Sequence, residues 1–311
     1  MKKSRESGTF FLCIAKIMKQ EKQKISVAIQ GVRGSFHEIA AVEYFGSSNI
    51  DTIPCDTFSE LFNVLAEGKA EYGIVAFENS VAGSILPNYE LLRRSRLPVT
   101  GEICLRVKQN LVALPGQQLS DIREIHSHPM AIQQCSHFVN EMRQQGVKVV
   151  ETADTALSAR MISKERQYGS GAIASRSAAE MYSLSILRQE IEDDSLNFTR
   201  FLIISGSRSL TKKTCRSSGS DKAMVCFSLP HKVGSLSQVL SVLAFYQISL
   251  TKIQSLPIVG KPWEYMFHID LIYSDHARFT MALDAIRPLT DGLETIGEFR
   301  HGMMPYEPGP N

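Results

Sequence analysis

A polar segment follows the apolar stretch at residues 72–77 and carries groups that can orient a carboxylate or a hydroxyl. Its candidate members are Asn79, Ser80, Gly83 and Ser84. In an open α/β sheet, ligands bind beyond the carboxyl ends of the strands, which is where this segment would lie. These residues are therefore candidates for substrate binding, although a loop that caps the next helix would have the same composition.

A second segment, Asn197 to Phe201, places Thr199 between two aromatic residues at the start of a predicted strand. The Thr199 hydroxyl can donate a hydrogen bond to a leaving group, and the Arg200 guanidinium can bind a carboxylate through two parallel hydrogen bonds. The alternatives are that Thr199 is an ordinary β-branched strand residue and that Arg200 forms a structural ion pair.

Two segments of small residues are weaker candidates. Gly31 and Gly34 stand between a strand and a helix, where backbone N–H groups attract anions, but their spacing matches neither the dinucleotide fingerprint nor the P-loop. Ser175 ends the stretch at 172–175, which leaves room for a ligand or for a closely packed helix. A tight turn and close packing explain these segments equally well.

Histidines and cysteines show no spacing typical of a metal site. His126 and His128 lack a third ligand nearby in the sequence, so a structural role is favoured over acid–base chemistry or metal binding. The six cysteines stand singly, which is typical of reduced thiols. They are Cys13, Cys55, Cys104, Cys135, Cys215 and Cys226. We predict no metal ion.

Strands and helices alternate over residues 25–205, and this order must position the candidate groups. An apolar strand leads through the glycine turn into a helix that Ser35 caps and Gly46 ends. Similar strand–helix units recur, with one later helix predicted at 129–145. The alternation predicts a largely parallel α/β sheet.

The order of the predicted strands and helices changes at residue 222, which predicts a second domain. Residues 206–221 are polar and rich in serine, which is typical of a linker. Residues 222–303 are predicted as strand, helix, two strands, helix and strand, with Ser235 expected to cap the first helix. This βαββαβ order predicts a ferredoxin-like sandwich.

Length and composition narrow the class of protein. The chain has 311 residues, of which 43% are hydrophobic and 21% charged, so it can bury a sizeable core. A formal net charge of +2 gives no reason to expect a nucleic acid or a membrane as the main partner. Residues 1–24 lack a signal-peptide cleavage pattern, and we expect a disordered extension there.

Five motifs in order make residues 25–205 resemble prephenate dehydratases. The family patterns are G-x-x-G-[ST]-[FY], E-N-S-x-x-G-[ST], S-H-P-x-A-x-x-Q-C, A-I-A-S and N-x-T-R-F. They are similar to the segments that begin at Gly31, Glu78, Ser127, Ala172 and Asn197. The chain departs from the family in Val32-Arg33, where Pro-Glu is usual.

The resemblance implies a catalytic domain with two lobes similar to those of periplasmic binding proteins and an active site in the cleft between them. Lobe 1 is expected at about 25–102 with 198–205, and lobe 2 at about 103–197. The implied reaction converts prephenate to phenylpyruvate with loss of carbon dioxide and of the ring hydroxyl. No cofactor is expected, because no hydride moves and no electron sink is needed.

The resemblance also implies roles for individual residues. Thr199 is expected to be the catalytic hydrogen-bond donor to the leaving hydroxyl. The expected substrate-binding residues are Asn79, Ser80, Gly83, Ser84, Ser175, Arg200 and Phe201.

The C-terminal domain resembles an ACT domain, a module that binds amino acids at a dimer interface. Its expected phenylalanine site joins a glycine loop to a segment that departs from the family's E-S-R-P pattern. The residues are His231, Val233, Gly234, Ser235, Leu236, Gln254, Ser255, Leu256 and Pro257. L-Phenylalanine is the expected effector and a homodimer or homotetramer the expected assembly; the alternative is a domain that only dimerises.

Other functions remain open at this point. An arogenate dehydratase performs the same chemistry on the amino-bearing analogue, and no motif separates the two. A non-catalytic, two-lobed sensor is a different class, but it would not need Thr199. A DNA-binding ACT protein is disfavoured because the sequence has no helix-turn-helix or basic patch. We expect a cytoplasmic enzyme without nucleic-acid or membrane partners.

Overall fold

The computed structural model describes residues 24–206 and 219–302. The predicted extension at 1–24, apart from Lys24, and most of the predicted linker at 206–221 lie outside these residues. The described part of the chain forms three β-sheets with helices packed on them.

The strands are β1 (Ile25–Gln30), β2 (Ile50–Cys55), β3 (Tyr72–Asn79), β4 (Gly83–Ser84), β5 (Val99–Arg106), β6 (Asn110–Ala113), β7 (Glu124–Ser127), β8 (Lys148–Glu151), β9 (Ser170–Ala174), β10 (Ser185–Arg188), β11 (Phe198–Ser205), β12 (Lys222–Ser228), β13 (Ser249–Pro257), β14 (Tyr265–Ile272) and β15 (Asp291–Phe299). The helices are α1 (Phe36–Phe45), α2 (Phe58–Ala66), α3 (Leu86–Ser95), α4 (Pro129–Gln134), α5 (Ser136–Gln144), α6 (Thr155–Glu165), α7 (Arg176–Met181), α8 (Ser235–Phe245) and α9 (His276–Ile286).

The first sheet builds one lobe from two separate stretches of chain. Its order is β2-β1-β3-β11-β5, with β4 added to β3. β1 pairs in parallel with β2 and β3 because α1 and α2 carry the chain back between them, and Ser35 and Thr57 cap these helices. β11 runs antiparallel to β3 and β5. The sheet is therefore mixed, and the predicted parallel pairing holds only for β1 to β3.

The second lobe is built on a sheet of order β10-β6-β9-β7-β8. β7 is parallel to β8 and β9, whereas β6 and β10 add antiparallel strands. The chain enters this lobe at 107–109 and returns at 189–197. The first crossing lies after the predicted boundary at residue 102, because β5 pairs with β11 as far as Arg106. The prediction of two lobes is confirmed.

The helix predicted at 129–145 is interrupted in its middle. α4 ends at Gln134 because Cys135 leaves the helical region, at φ −115 and ψ 32. The Asp193 carboxylate then accepts hydrogen bonds from the N–H groups of Ser136 and His137, at 2.8 and 3.0 Å, and caps the new helix start. The interruption leaves Gln134 at a helix end that faces the other lobe.

The C-terminal domain has the predicted βαββαβ order in one antiparallel sheet, β13-β14-β12-β15. Helices α8 and α9 cover one face around a core that includes Val225 and Phe279. The opposite face packs on lobe 1, where Met224 and Phe299 join the core cluster of Leu202. The C-terminal sheet therefore lies between its own helices and the catalytic domain.

The first helix of this domain does not begin as predicted. Gly234 precedes α8 with a φ of +83, and no side chain caps the helix start. Glycine adopts this left-handed conformation without a Cβ clash. Ser235 is the first helical residue, so the prediction that its side chain caps the helix was wrong.

Candidate active site

A β-bulge at the end of β3 turns Asn79 toward the cleft. The register between β3 and β11 shifts between Arg200 and Phe201. Side chains alternate along a regular strand, and one extra residue reverses the face that the following residues use. Asn79 therefore shares the cleft face with Thr199, while Glu78 shares the opposite face with Arg200.

Thr199 is buried, with 8% of its surface exposed, and lies where β3 and β5 end. Its Oγ1 accepts a hydrogen bond from Asn79 Nδ2 at 2.9 Å. A hydroxyl accepts and donates at once, so this contact leaves the hydroxyl hydrogen for another acceptor. A hydrogen-bonded donor is further polarised in a buried site, which suits it to a leaving oxygen.

Three side-chain amides close a hydrogen-bonded ring beside this pair. Asn79 Nδ2 donates to Asn197 Oδ1 at 2.7 Å, Asn197 Nδ2 donates to Gln134 Oε1 at 3.0 Å, and Gln134 Nε2 donates to Asn79 Oδ1 at 3.3 Å. The orientation of the ring follows from the backbone. The N–H groups of Val81 and Ala82 donate to Asn79 Oδ1, and an N–H requires an oxygen acceptor there.

The sequence analysis assigned no role to Gln134 or Asn197. Gln134 lies in α4 of lobe 2, and Asn197 lies in the chain that returns to lobe 1, so the ring joins the two lobes. Both residues stand in motifs that were singled out, and both are buried. The signal that could have identified them is an amide side chain within each motif, because an amide that becomes buried needs hydrogen-bond partners.

Ser175 also joins the two lobes. Its hydroxyl donates to the Gly34 carbonyl at 2.8 Å and accepts from the Ala178 N–H at 3.0 Å, capping α7. Gly34 has a φ of +86, and a Cβ there would lie 2.9 Å from the Ala178 Cα. A second link is the Tyr182 hydroxyl, which donates to the Arg33 carbonyl at 2.6 Å. The glycine turn thus permits a close approach of the lobes.

A groove of about 710 Å³ lies between the lobes. Ser175 lines it, and so does Leu105, the residue directly opposite Thr199 on β5. The basic lining residues are Lys24, Arg33, Arg106, Lys108 and Arg176, and the acidic ones are Glu38, Asp51 and Glu180. Arg106 and Lys108 both pair with Glu190, which lies outside this lining, so the positive charge of the groove is partly balanced. The sequence analysis did not single out Arg106, Lys108 or Arg176.

Ser80 and Gly83 shape the backbone beside Asn79. Ser80 Oγ donates to the Leu196 carbonyl at 2.7 Å and accepts from the Phe198 N–H at 2.9 Å. Gly83, with a φ of +81, turns the chain so that β4 pairs back on β3. Ser80 thus ties the loop to the returning chain and Gly83 ties it to β3, and a direct contact of either residue with substrate stays a prediction.

Ser84 faces the C-terminal domain. Its hydroxyl accepts a hydrogen bond from Lys252 Nζ at 2.9 Å, and the same ammonium pairs with Glu78 at 2.5 Å. Lys252 belongs to β13. Ser84 pairs with Glu78 on the face away from the cleft, and binding of substrate by Ser84 stays a prediction.

Arg200 also faces the C-terminal domain. Its guanidinium pairs with Glu102 at 2.7 Å and with Asp270 at 2.5 Å, and Lys222 pairs with the same Glu102 at 2.9 Å. Burial by itself would raise the pKa of Glu102, but the charges of Arg200 and Lys222 outweigh burial and lower it. The charge of Arg200 is thus neutralised in a buried network that faces the C-terminal domain, and binding of a substrate carboxylate by Arg200 stays a prediction.

Phe201 is a core residue, with 1% of its surface exposed. Its ring meets the His37 ring edge-on at 5.1 Å in the cluster beneath α1. Burial lowers the pKa of His37 to about 3, so this imidazole is neutral near pH 7. Phe201 supports the strand that carries Thr199 from within the core, and its contact with substrate stays a prediction.

The predicted effector segments lie at one end of the C-terminal sheet. Ser228, the last residue of β12, pairs with Met266 of β14, which pairs with Leu256 of β13. The loop with His231 follows β12 directly and therefore lies at the same end as Gln254–Pro257. β13 is an edge strand of this sheet. The sheet brings the two segments together, and amino-acid binding there stays a prediction.

Metal ligands and membrane spans were searched over residues 24–206 and 219–302. In this part of the chain, no group of three or more His, Cys, Asp or Glu side chains could hold a metal ion. None of the helices described there is long and apolar enough to cross a membrane. Burial raises the pKa of Cys55 and Cys226 to about 11, so these thiols stay protonated near pH 7.

Comparison with known proteins gives consistent matches. The family model for prephenate dehydratase matches residues 27–209. An Arabidopsis thaliana protein named arogenate dehydratase/prephenate dehydratase 6, chloroplastic, is 35% identical over 301 residues, covering 91% of this chain and 71% of that protein. A solved prephenate dehydratase from Arthrobacter aurescens, in complex with L-Phe, has a TM-score of 0.77 at 27% identity, covering 89% of this chain and 90% of that one.

A further solved structure carries a different description. It is described as GqqA, a novel type of quorum quenching acylase, and has a TM-score of 0.79 at 30% identity, covering 90% of this chain and 99% of that one. The family model nevertheless spans more than half of this chain and includes Asn79, Gln134, Ser175 and Thr199. The chain therefore belongs to the prephenate dehydratase family.

Proposed function

We propose that this chain converts prephenate to phenylpyruvate by decarboxylative dehydration. Prephenate carries two carboxylates and a ring hydroxyl. The groove between the lobes is lined by basic side chains and by Leu105, the strand neighbour of the buried Thr199. The hydrogen bond between Asn79 and Thr199 carries the proposal. It orients one donor at the edge of the sheet, where a leaving oxygen can be held.

The reaction is a coupled elimination across the ring. The bond between the ring and its carboxylate breaks, its electron pair forms a ring double bond, and the carbon–oxygen bond at the opposite ring carbon breaks. Thr199 donates a hydrogen bond to the departing oxygen. A threonine hydroxyl is too weak an acid to end the reaction deprotonated near neutral pH. One proton from the solvent therefore converts the departing hydroxyl to water, either directly or relayed through Thr199, which passes on its own proton and takes one up in return. The gain of aromaticity drives the reaction.

Residues around the groove bind and orient the substrate. Arg106, Lys108 and Arg176 attract the two carboxylates, and Ser175 supplies a hydroxyl at the same wall. The amide ring keeps Thr199 in one geometry, which lowers the entropy lost on reaching the transition state. Because the lobes already meet at Ser175, their contact limits the access of water to the reacting groups.

The proposal includes regulation by L-phenylalanine through the ACT-like domain. The glycine loop and Gln254–Pro257 lie at one end of its sheet, and the similar Arthrobacter aurescens structure contains L-Phe. Val233, Phe245 and Trp263 expose apolar side chains, which supports a homodimer or homotetramer formed through these domains. We place the enzyme in the cytoplasm, where free thiols such as Cys55 stay reduced.

Purified full-length protein tests the proposal with prephenate and arogenate in parallel. Phenylpyruvate formed from prephenate, read by ultraviolet absorbance and suppressed by L-phenylalanine, is the expected result. Turnover of arogenate alone would assign the amino-bearing substrate instead. Binding of prephenate without turnover would identify a sensor, and cleavage of an acylated quorum-sensing signal in place of both reactions would assign an acylase.

A further inference from the structure

Thr199 is followed in the chain by Arg200, which forms an ion pair with the C-terminal domain. Thr199 faces the cleft, whereas Arg200, on the opposite face of β11, pairs with Asp270 of β14 at 2.5 Å and with Glu102 of β5 at 2.7 Å. Lys222 of β12 lies 2.9 Å from Glu102. All four charged residues are buried, so the pairing is strong and any separation leaves an uncompensated charge.

Asn79 is likewise preceded in the chain by Glu78, which forms an ion pair with the C-terminal domain. The bulge places Glu78 on the face away from the cleft, where Lys252 Nζ lies 2.5 Å from its carboxylate and 2.9 Å from Ser84 Oγ. Lys252 is on β13, two residues before Gln254, where the predicted effector segment begins. Both residues of the catalytic pair are thus covalently next to a residue that is bonded to the C-terminal sheet.

Between these two ion-paired links, the C-terminal sheet contacts lobe 1 through apolar side chains and through a histidine ring that makes no hydrogen bond. Met224, Leu256 and Phe299 of the C-terminal sheet pack into the core of lobe 1. His268 is buried in the same contact against Tyr89, with ring centroids 5.2 Å apart, and neither of its ring nitrogens has a hydrogen-bond partner. Apolar packing is non-directional, so the ion pairs are what determine the register between the two domains.

We propose that Glu78 and Arg200 are positioning residues through which the C-terminal domain sets the geometry of Asn79 and Thr199. Lys252 and Asp270 are the residues of that domain that act on them. A displacement of β13 or β14 relative to lobe 1 moves the strands that carry the catalytic pair. The expected effect on kcat rests on the proposed dehydratase function. The expected effect on the position of Asn79 does not.

Lys252→Met tests the proposal in the full-length protein, because methionine keeps the chain length and removes the charge and the donors. Lys261→Met is the matched control, since Lys261 pairs with Glu264 at the exposed surface of the same domain. For Lys252→Met, kcat on prephenate is expected to fall about 2- to 30-fold while KM stays within twofold. The control keeps both values, and Lys252→Arg, which keeps the charge and the donors toward Glu78, retains most of the native kcat.

Amide hydrogen exchange gives a readout that does not need turnover. The N–H groups of Val81 and Ala82 donate to Asn79 Oδ1 and report its position. They are expected to exchange faster in Lys252→Met than in Lys261→Met, at equal global stability.

Unchanged exchange together with unchanged kcat in folded Lys252→Met would overturn the proposal. So would a loss of kcat that follows the thermal stability and is equally large in Lys252→Arg. If the native protein fails to turn over prephenate, the proposed function fails, and the exchange rates alone then decide the positioning role.

Discussion

Asn79 Nδ2 and Thr199 Oγ1 lie 2.9 Å apart although the two residues are separated by 120 positions in the chain. They meet because β11 returns from the second lobe and runs antiparallel to β3. The whole of the second lobe is inserted between them. The contact between Asn79 and Thr199 therefore depends on the return of the chain from the second lobe.

Replacing Thr199 tests its role as donor to the leaving hydroxyl. Thr199→Val keeps the shape and removes the hydroxyl, so kcat on prephenate is expected to fall by ~10²–10⁴. Thr199→Ser keeps the donor and is expected to retain activity within about tenfold of the native enzyme. Steady-state kinetics measure both variants, and a valine variant with native kcat would remove Thr199 from the mechanism.

Replacing Arg200 separates a structural role from substrate binding. Arg200→Lys keeps one charge but loses the fork that joins Glu102 and Asp270, so the free energy of unfolding is expected to fall by about 1–3 kcal/mol. KM for prephenate is expected to stay within about twofold, because Arg200 faces away from the cleft. Urea unfolding and kinetics are the measurements. A many-fold rise in KM at native stability would place Arg200 in the cleft.

Replacing Gly34 tests the contact between the lobes. Gly34→Ala adds a Cβ 2.9 Å from the Ala178 Cα, and we expect kcat/KM to fall at least about tenfold because the lobes cannot close. Gly116→Ala is the control, since Gly116 has a similar φ of +88 but nothing within 4 Å of the added Cβ. Both variants carry about 1 kcal/mol of backbone strain. Equal kcat/KM in the two variants would show that lobe contact at Gly34 is not required.

Replacing Gln134 tests the ring of amides. Gln134→Leu leaves the buried amide of Asn197 without its acceptor, and the free energy of unfolding is expected to fall by about 1–3 kcal/mol. Gln133→Leu, at the exposed neighbouring position of the same helix, is expected to change it by less than about 0.5 kcal/mol. Thermal and urea unfolding compare the two. Equal losses of unfolding free energy in the two variants would mean that the change of residue type in the helix, and not the loss of the amide ring, causes the destabilisation.

The interdomain histidine makes stability depend on pH. Burial lowers the pKa of His268 from 6.5 to about 4. Between these values the unfolded chain is protonated and the folded one is not, so the free energy of unfolding falls as pH decreases from 6.5 to 4. The contribution of His268 is on the order of 3 kcal/mol.

Urea unfolding between pH 7 and 4 measures this dependence. His268→Leu removes the titrating group and is expected to flatten the slope in that range. His137→Leu, at an exposed position, is expected to keep the native slope. The same slope in native protein and His268→Leu would assign the acid sensitivity to other groups, such as buried His37, whose pKa is lowered to about 3.

Sequence patterns predicted the structure correctly wherever residues close together in the chain determine it. Ser35 and Thr57 cap their helices because a side-chain oxygen reaches an N–H three residues ahead, whatever the surroundings. The βαββαβ order of the C-terminal domain was predictable for a similar reason, since hydrophobic periodicity is local. The contacts of Ser84, Arg200 and Phe201 were not, because each depends on which face of a strand meets which neighbour.

The sequence by itself determined the family, the candidate residues and the order of the elements, since motifs and periodicity are carried by contiguous residues. Only the tertiary structure decided which candidates reach the cleft. The bulge between β3 and β11 turns Asn79 to the cleft and Glu78 away from it, and β11 brings Thr199 beside the first and Arg200 beside the second. The pairing of distant strands sets that register, and a shift of one residue exchanges the faces.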